Sequence, residues 1–204
     1  PLSPKMVYGF LPYWHAKNYT PPSTVSHISF FSLHLNELGE IEKDYASQVF
    51  QNFIADSPNF PHQKIEVTVG IFKTEIIEAI LTDDNARQRS INSLSQLISS
   101  YPLSGINLDF EPETAITSET RNEFSAYIRE VSRELKSQNP GLNISLDVYA
   151  SAASQDKIWD LAALESSIDH FVVMAYDYHR SGDPIAAPTA PLFGSHLSRW
   201  PQDI

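Results

Sequence analysis

Apolar residues recur along this chain in two rhythms. Short stretches alternate, or run as β-branched and aromatic blocks: Val7–Trp14 (VYGFLPYW, running into an aromatic loop), His27–Leu35 (HISFFSLHL), Lys64–Phe72 (KIEVTVGIF), Gly105–Phe110 (GINLDF), Asn143–Ala150 (NISLDVYA) and His170–Tyr176 (HFVVMAY). Each reads as a strand. Others repeat at three- and four-residue steps: Tyr45–Ile54; Ile91, Leu94, Leu97 and Ile98 within Asn85–Ser100; Phe124, Ile128, Val131 and Leu135; and Lys157–Ile168. These read as helices, the third preceded by hydroxyl caps (TSETRNE) and stopped by Asn139-Pro140-Gly141. Strands joined by helical crossovers predict a parallel sheet covered by helices.

Two α/β architectures fit, an open doubly wound sheet and a closed (β/α)8 TIM barrel. No GxGxxG or GxxxxGK loop is present, which counts against the open sheet. Polar residues gather at the C-terminal ends of strands, Asp109 with Glu111 and Tyr176 with Asp177, where a barrel keeps its chemistry. The expectation is therefore a TIM barrel. A complete one takes about 250 residues or more, and this chain has 204. Six strands are legible, so the barrel is expected to be incomplete: a single domain over 1–204, shortened at its C-terminal side, with the first and sixth strands lacking neighbours. A missing C-terminal segment or a second chain would complete it. The Pro- and Ala-rich Asp183–Gly194 segment reads as a long ordered loop.

The strand Gly105–Phe110 and the residue after it carry the most informative pattern. Asn107, Asp109 and Glu111 share one face, while Ile106, Leu108 and Phe110 share the other. In a sheet covered by helices neither face is wet, so the polar row points into the barrel. Burying carboxylates costs several kcal/mol unless they are paired, bonded or protonated. A network that only fixes strand geometry and a divalent-metal site compete with a catalytic site as explanations. The strand offers few further oxygen ligands, and catalysis is favoured. Two carboxyls two residues apart can share a proton, raising one pKa and making a general acid. Glu111, at the strand's end, is the expected donor, with Asp109 tuning it from one step deeper.

Composition narrows the partners. The formal charge of −11 disfavours nucleic acid and anionic membranes and suits an uncharged sugar. The absence of cysteine excludes thiolate sites and disulfides, and seven histidines show no metal-ligand spacing. No stretch is long and apolar enough to span a membrane. No signal peptide is visible, and the chain, opening on Pro1, reads as processed or shortened. Phe10, Tyr13 and Trp14 are placed to stack on sugars or to pack the loop. Phe30 and Phe31 read as core, His179 as a cleft residue, and His27 and His170 as structural.

The stretch SGINLDFE resembles the D-G-x-D-x-D-x-E strand of the family 18 glycoside hydrolases, the chitinase-like enzymes, through Gly105, Asp109 and Glu111. MAYD (Met174–Asp177) resembles the family's M-x-Y-D, YGFLPYW and HISFFS its first two strands, and APLFGS the loop after strand six. The wording GINLDFE is closest to bacterial members that include spore-cortex and peptidoglycan-acting glucosaminidases. The resemblance implies a retaining hydrolase of β-1,4-linked N-acetylglucosamine polymers, chitin or peptidoglycan, that needs no cofactor or metal and works by substrate-assisted catalysis. By that resemblance Glu111 is the acid, Asp109 holds the acetamido group and Tyr176 donates to its carbonyl. Asp177, Asn107, Met174, Phe10 and Trp14 line the sugar site. It also implies a secreted or cell-envelope location. Ser104 and Asn107 stand where the family has aspartates. Asn107 cannot share a proton, although its amide can donate to a carboxylate, so a shifted pH profile is expected. The family's terminal-strand Trp has no counterpart, Trp200 lying too soon after strand six. A non-catalytic, lectin-like sugar-binding module is the alternative reading.

Overall fold

The computed structural model describes residues 5–176, 178–179, 181–184 and 186–191. Six strands, β1 (Tyr8–Pro12), β2 (His27–His34), β3 (Lys64–Ile71), β4 (Gly105–Phe110), β5 (Asn143–Tyr149) and β6 (His170–Met174), pair in sequence order. Every pairing is parallel. The sheet curls as an incomplete TIM barrel, and among the described residues β1 and β6 are its open edges.

Helices α1 (Tyr45–Asp56), α2 (Thr74–Thr82), α3 (Asp84–Ser100), α4 (Ser118–Gln138) and α5 (Leu161–Leu164) supply the crossovers. Between β1 and β2 lies a 3-10 turn at Tyr13–His15, within the aromatic loop read from the sequence. Two features depart from the sequence reading. Helix α2 is absent from the sequence-based expectation. Asp83 ends it and starts α3, its side chain accepting from Asn85 and Ala86 N–H groups. The helix expected over Lys157–Ile168 is one turn, because Asp160 caps its start by accepting from Ala163 N–H, and Trp159 is packed, wholly buried, against Tyr149.

The outward faces of the strands form the core with the helices. Phe110 meets Phe124 and Tyr127 of α4 at ring-centroid distances of 5.8 and 6.1 Å, and Phe30 meets Phe50 and Phe53 of α1 at 5.2 and 5.6 Å. Thr117 caps α4 by accepting from Thr120 N–H, as its hydroxyl predicts. Arg87 ties α3 to α4 through Glu130 (2.9 Å) and Glu123 (3.1 Å) while lying over the Tyr127 ring. Thr189, within the Asp183–Gly194 segment, accepts from Tyr178 N–H at 3.1 Å. The segment's last residues, with Trp200, lie outside the described residues.

Candidate active site

Strand register decides which side chains meet inside the barrel. Glu66 pairs with Gly105 and Ser29, Thr68 with Asn107, Asn107 with Ser145, and Ser145 with His170. Alternation then puts Asp109 of β4 and Glu111 just after it, Asp147 and Tyr149 of β5, and Met174 of β6 on the same interior face.

The lowest layer centres on Glu66, which is wholly buried and accepts from Tyr8 OH (2.8 Å) and Asn143 Nδ2 (3.0 Å). Burial pushes its carboxyl above the usual range, and the two donors hold it back. Gly105 makes room for it: a Cβ there would come within 2.6 Å of Glu66 Cδ. Above lie a Ser29–Thr68 hydroxyl pair at 2.8 Å and Asn107, whose amide donates to Ser145 Oγ (3.0 Å) and Asp147 Oδ1 (2.7 Å). The carboxylate that Asn107 serves is thus on β5.

Asp109 and Asp147 are 2% and 3% exposed. Burial raises the Asp109 carboxyl to about 8, with the charges of Asp147 and Glu111 adding to it. Burial raises Asp147 to about 7, against the Asn107 hydrogen bond and with the charge of Glu111. Glu111, held at the end of β4 by its N–H donating to Ile71 O (2.9 Å), reaches a cleft of about 1020 Å³. Met174, Tyr176, Tyr149, Trp159 and Phe72 line the same cleft.

Of the residues singled out in sequence, the cleft gathers Glu111, Met174 and Tyr176, with Asp109 buried next to Glu111 on the same strand face. Asn107 is fully buried with its amide bonded to β5. Phe10 is 39% exposed and meets Phe31 edge-on at 6.0 Å, and Phe31 in turn lies 6.4 Å from Phe72 at the cleft. Phe31 therefore faces the interior, whereas Phe30 is core as expected. Trp14, 57% exposed, belongs to a separate cluster with Tyr13 (4.9 Å), itself against Tyr45 (6.1 Å). Asp177 lies outside the described residues. His179 sits 3.5 Å from Asp183.

Sequence reasoning passed over Asp147, Ser145, Glu66 and Tyr8. The signal was there: NISLDVY and KIEVTVG alternate polar and apolar residues just as GINLDF does. Away from the cleft, His34, Glu42 and Asp44 bring ligand atoms within 4.8 Å of one another. His34 is bonded to Ser32 and Asp44 caps α1, so both already have structural work. No helix among the described residues is long and apolar enough to cross a membrane.

A Bacillus subtilis (strain 168) protein bearing the name sporulation-specific glycosylase YdhD is 26% identical over 181 residues, covering 86% of this chain and 41% of the relative. The Group IV chitinase of Ostrinia furnacalis shares the fold with a TM-score of 0.79 at 22% identity, over 97% of this chain and 58% of that one. A chitinase from Cycas revoluta in complex with (GlcNAc)3 does so with a TM-score of 0.74 at 22% identity, over 92% and 60%. The chain thus spans less than half of the curated relative and about three-fifths of these structures. The model of glycosyl hydrolases family 18 matches residues 6–203, and the chain belongs to that family.

Proposed function

We propose that this chain carries the acid-bearing part of a retaining glycoside hydrolase that cleaves β-1,4-linked N-acetylglucosamine polymers, of chitin or peptidoglycan type, by substrate-assisted catalysis. One observation carries the reading: Glu111 lines an open cleft together with Tyr176 and Met174, while Asp109 is buried one alternate position below it. Family membership supplies the chemistry that this arrangement suits.

In this reading the acetamido oxygen of the −1 sugar attacks its own anomeric carbon. Glu111 protonates the glycosidic oxygen as the bond to it breaks. Asp109 accepts the acetamido N–H and steadies the positive oxazolinium ion, and Tyr176 donates to the acetamido carbonyl before attack. Glu111 then takes a proton from water as that water opens the intermediate at the same face, so configuration is retained. Asp177 holds the −1 sugar by its place in the M-x-Y-D motif. The interior aromatics Phe10, Phe31 and Phe72 offer ring faces and edges to a sugar chain. A secreted or envelope location fits such polymers. Closure of the barrel needs strands that pair with β1 and β6, from a C-terminal segment or a second chain.

Release of chromophore from a chromogenic chitobioside tests the reading, with Glu111→Gln as the control. Loss of the general acid is expected to lower kcat by about 10²–10⁴-fold with KM little changed. Equal turnover by both proteins would refute the assignment. The open edges at β1 and β6 favour a second reading, a lectin-like module. Binding of N-acetylglucosamine oligomers without turnover would select it.

A further inference from the structure

The carboxyl that governs Asp109 lies on the neighbouring strand. The parallel β4–β5 register sets Asn107 beside Ser145 and Leu108 beside Leu146, and so carries Asp109 alongside Asp147. Both carboxyls face the interior and are almost fully hidden. Asn107 gives its amide N–H groups to Ser145 Oγ and Asp147 Oδ1, which exhausts its donors. Asp109 Oδ1 has no partner among the described residues.

The described residues provide no compensating cation. Among the described residues no lysine or arginine is bonded to either carboxyl. Strand β6 presents Val172 beside Asp147 and β3 presents Gly70 beside Asp109. Among the described residues, the other titratable groups above the pair are Glu111 just after β4 and Tyr149 on β5. Below are His170, beside Ser145, and the Tyr8–Glu66 pair of the lowest layer. Two carboxyls so placed, with a third near them, do not both ionise; they hold one proton between them.

We propose that Asp147 is a positioning residue for Asp109: the two form a one-proton pair across β4 and β5, and the Asn107 amide selects Asp147 as the charged member, leaving the proton on Asp109. The directions of the two shifts agree. Burial raises both carboxyls; the charge of Asp147 raises Asp109 further, whereas the Asn107 bond partly offsets the rise at Asp147. The consequence for turnover rests on the glycosidase reading; the pair itself does not. If Asp109 must accept the acetamido N–H, the charge on Asp147 sets the pH range in which it does so.

The test is a ¹³C NMR titration of the aspartate side-chain carboxyls in the full chain. In the wild type, two carboxyls are expected to titrate together well above the ordinary range. In Asp147→Asn the like charge is gone, and the Asp109 midpoint falls by roughly one pH unit or more. In Asn107→Ala the selecting donor is gone, and the two midpoints close up; this variant carries the test where Asp147→Asn does not fold. An Asp109 midpoint unmoved in the variants, or two wild-type carboxyls titrating near the ordinary value of about 3.9, overturns the proposal. The pH dependence of chitobioside kcat/KM supplies the second readout. Its acid limb, where Asp109 loses its proton, moves down with the NMR midpoint in Asp147→Asn, and a limb that stays while the midpoint moves overturns the positioning role. Complete absence of turnover sinks the glycosidase reading alone, and the NMR midpoints still decide for or against the pair.

Discussion

Gly105→Ala probes how tightly the lowest interior layer is filled. The new Cβ would lie 2.6 Å from Glu66 Cδ, 2.7 Å from Glu66 Oε1 and 2.7 Å from the Asn143 carbonyl oxygen, all under the 3.0 Å that real Cβ atoms keep. The carbonyl is backbone and cannot swing aside. The carboxyl, wholly buried, can yield only by loosening its bonds to Tyr8 (2.8 Å) and Asn143 (3.0 Å). Overpacking a filled interior costs about 1–3 kcal/mol, and leaving a buried polar group unsatisfied costs about 1–3 kcal/mol more. Together they amount to roughly 2–6 kcal/mol, a large share of the ~5–15 kcal/mol that holds a typical domain folded. Urea unfolding followed by the emission of buried Trp159 measures the loss. For a chain of this size, at about 2–4 °C per kcal/mol, Tm is expected to fall by roughly 10 °C. A loss below about 1 kcal/mol would refute the packing argument. Repeating the substitution in a Glu66→Ala background locates the clash: its cost shrinks if the carboxyl is the obstacle and is unchanged if the Asn143 carbonyl is.

Stability is also expected to fall as pH rises. Asp109, Asp147 and Glu66 all have carboxyls raised in the folded state. Between the ordinary carboxylate range and about 8 the folded chain therefore binds more protons than the unfolded one, and unfolding free energy declines across that window before levelling. Urea titrations at several pH values check this, and a flat or rising profile contradicts it. Phe110→Ala removes the ring between Phe124 and Tyr127 on the opposite face of the same strand. It is expected to cost about 3–5 kcal/mol in the same unfolding assay, and a cost under about 1 kcal/mol would show that α4 is held by other contacts.

Much of this was legible because β4 states its geometry in six letters. Gly105–Phe110 is a strand in the structure with the bounds that alternation gives it, its apolar side on α4 and its polar side inside. The barrel class followed from strand–helix order, and the open edges from the strand count. What escaped was tertiary. Nothing in GINLDF says that Asn107 bonds across to β5, because pairing partners are set by register between strands far apart in sequence. Asp147 carried the same alternating signal but stood outside the recognised motif. Helix α2 is hard to see in sequence because Ile76, Ile77, Ile80 and Leu81 follow a strand directly and blur two apolar runs into one. The Lys157–Ile168 helix is shorter than its periodicity suggests because that periodicity belongs partly to Trp159, which is buried ahead of the helix rather than within it.

The placement of the polar layers has an effect on how the molecule tolerates its surroundings. Asn107, Asp109 and Asp147 stand on β4 and β5, and Glu66 on β3, so the three carboxyls and the amide hang from strands paired on both sides, while Phe10 and Trp14 belong to the outermost strand and the turn after it. In the proposed reading, the acid chemistry and the ring that Phe10 would offer as a grip on a sugar chain are therefore mounted on different parts of the framework. Whatever covers the margins of the sheet can reshape the grip and leave the proton inventory at the centre as it is.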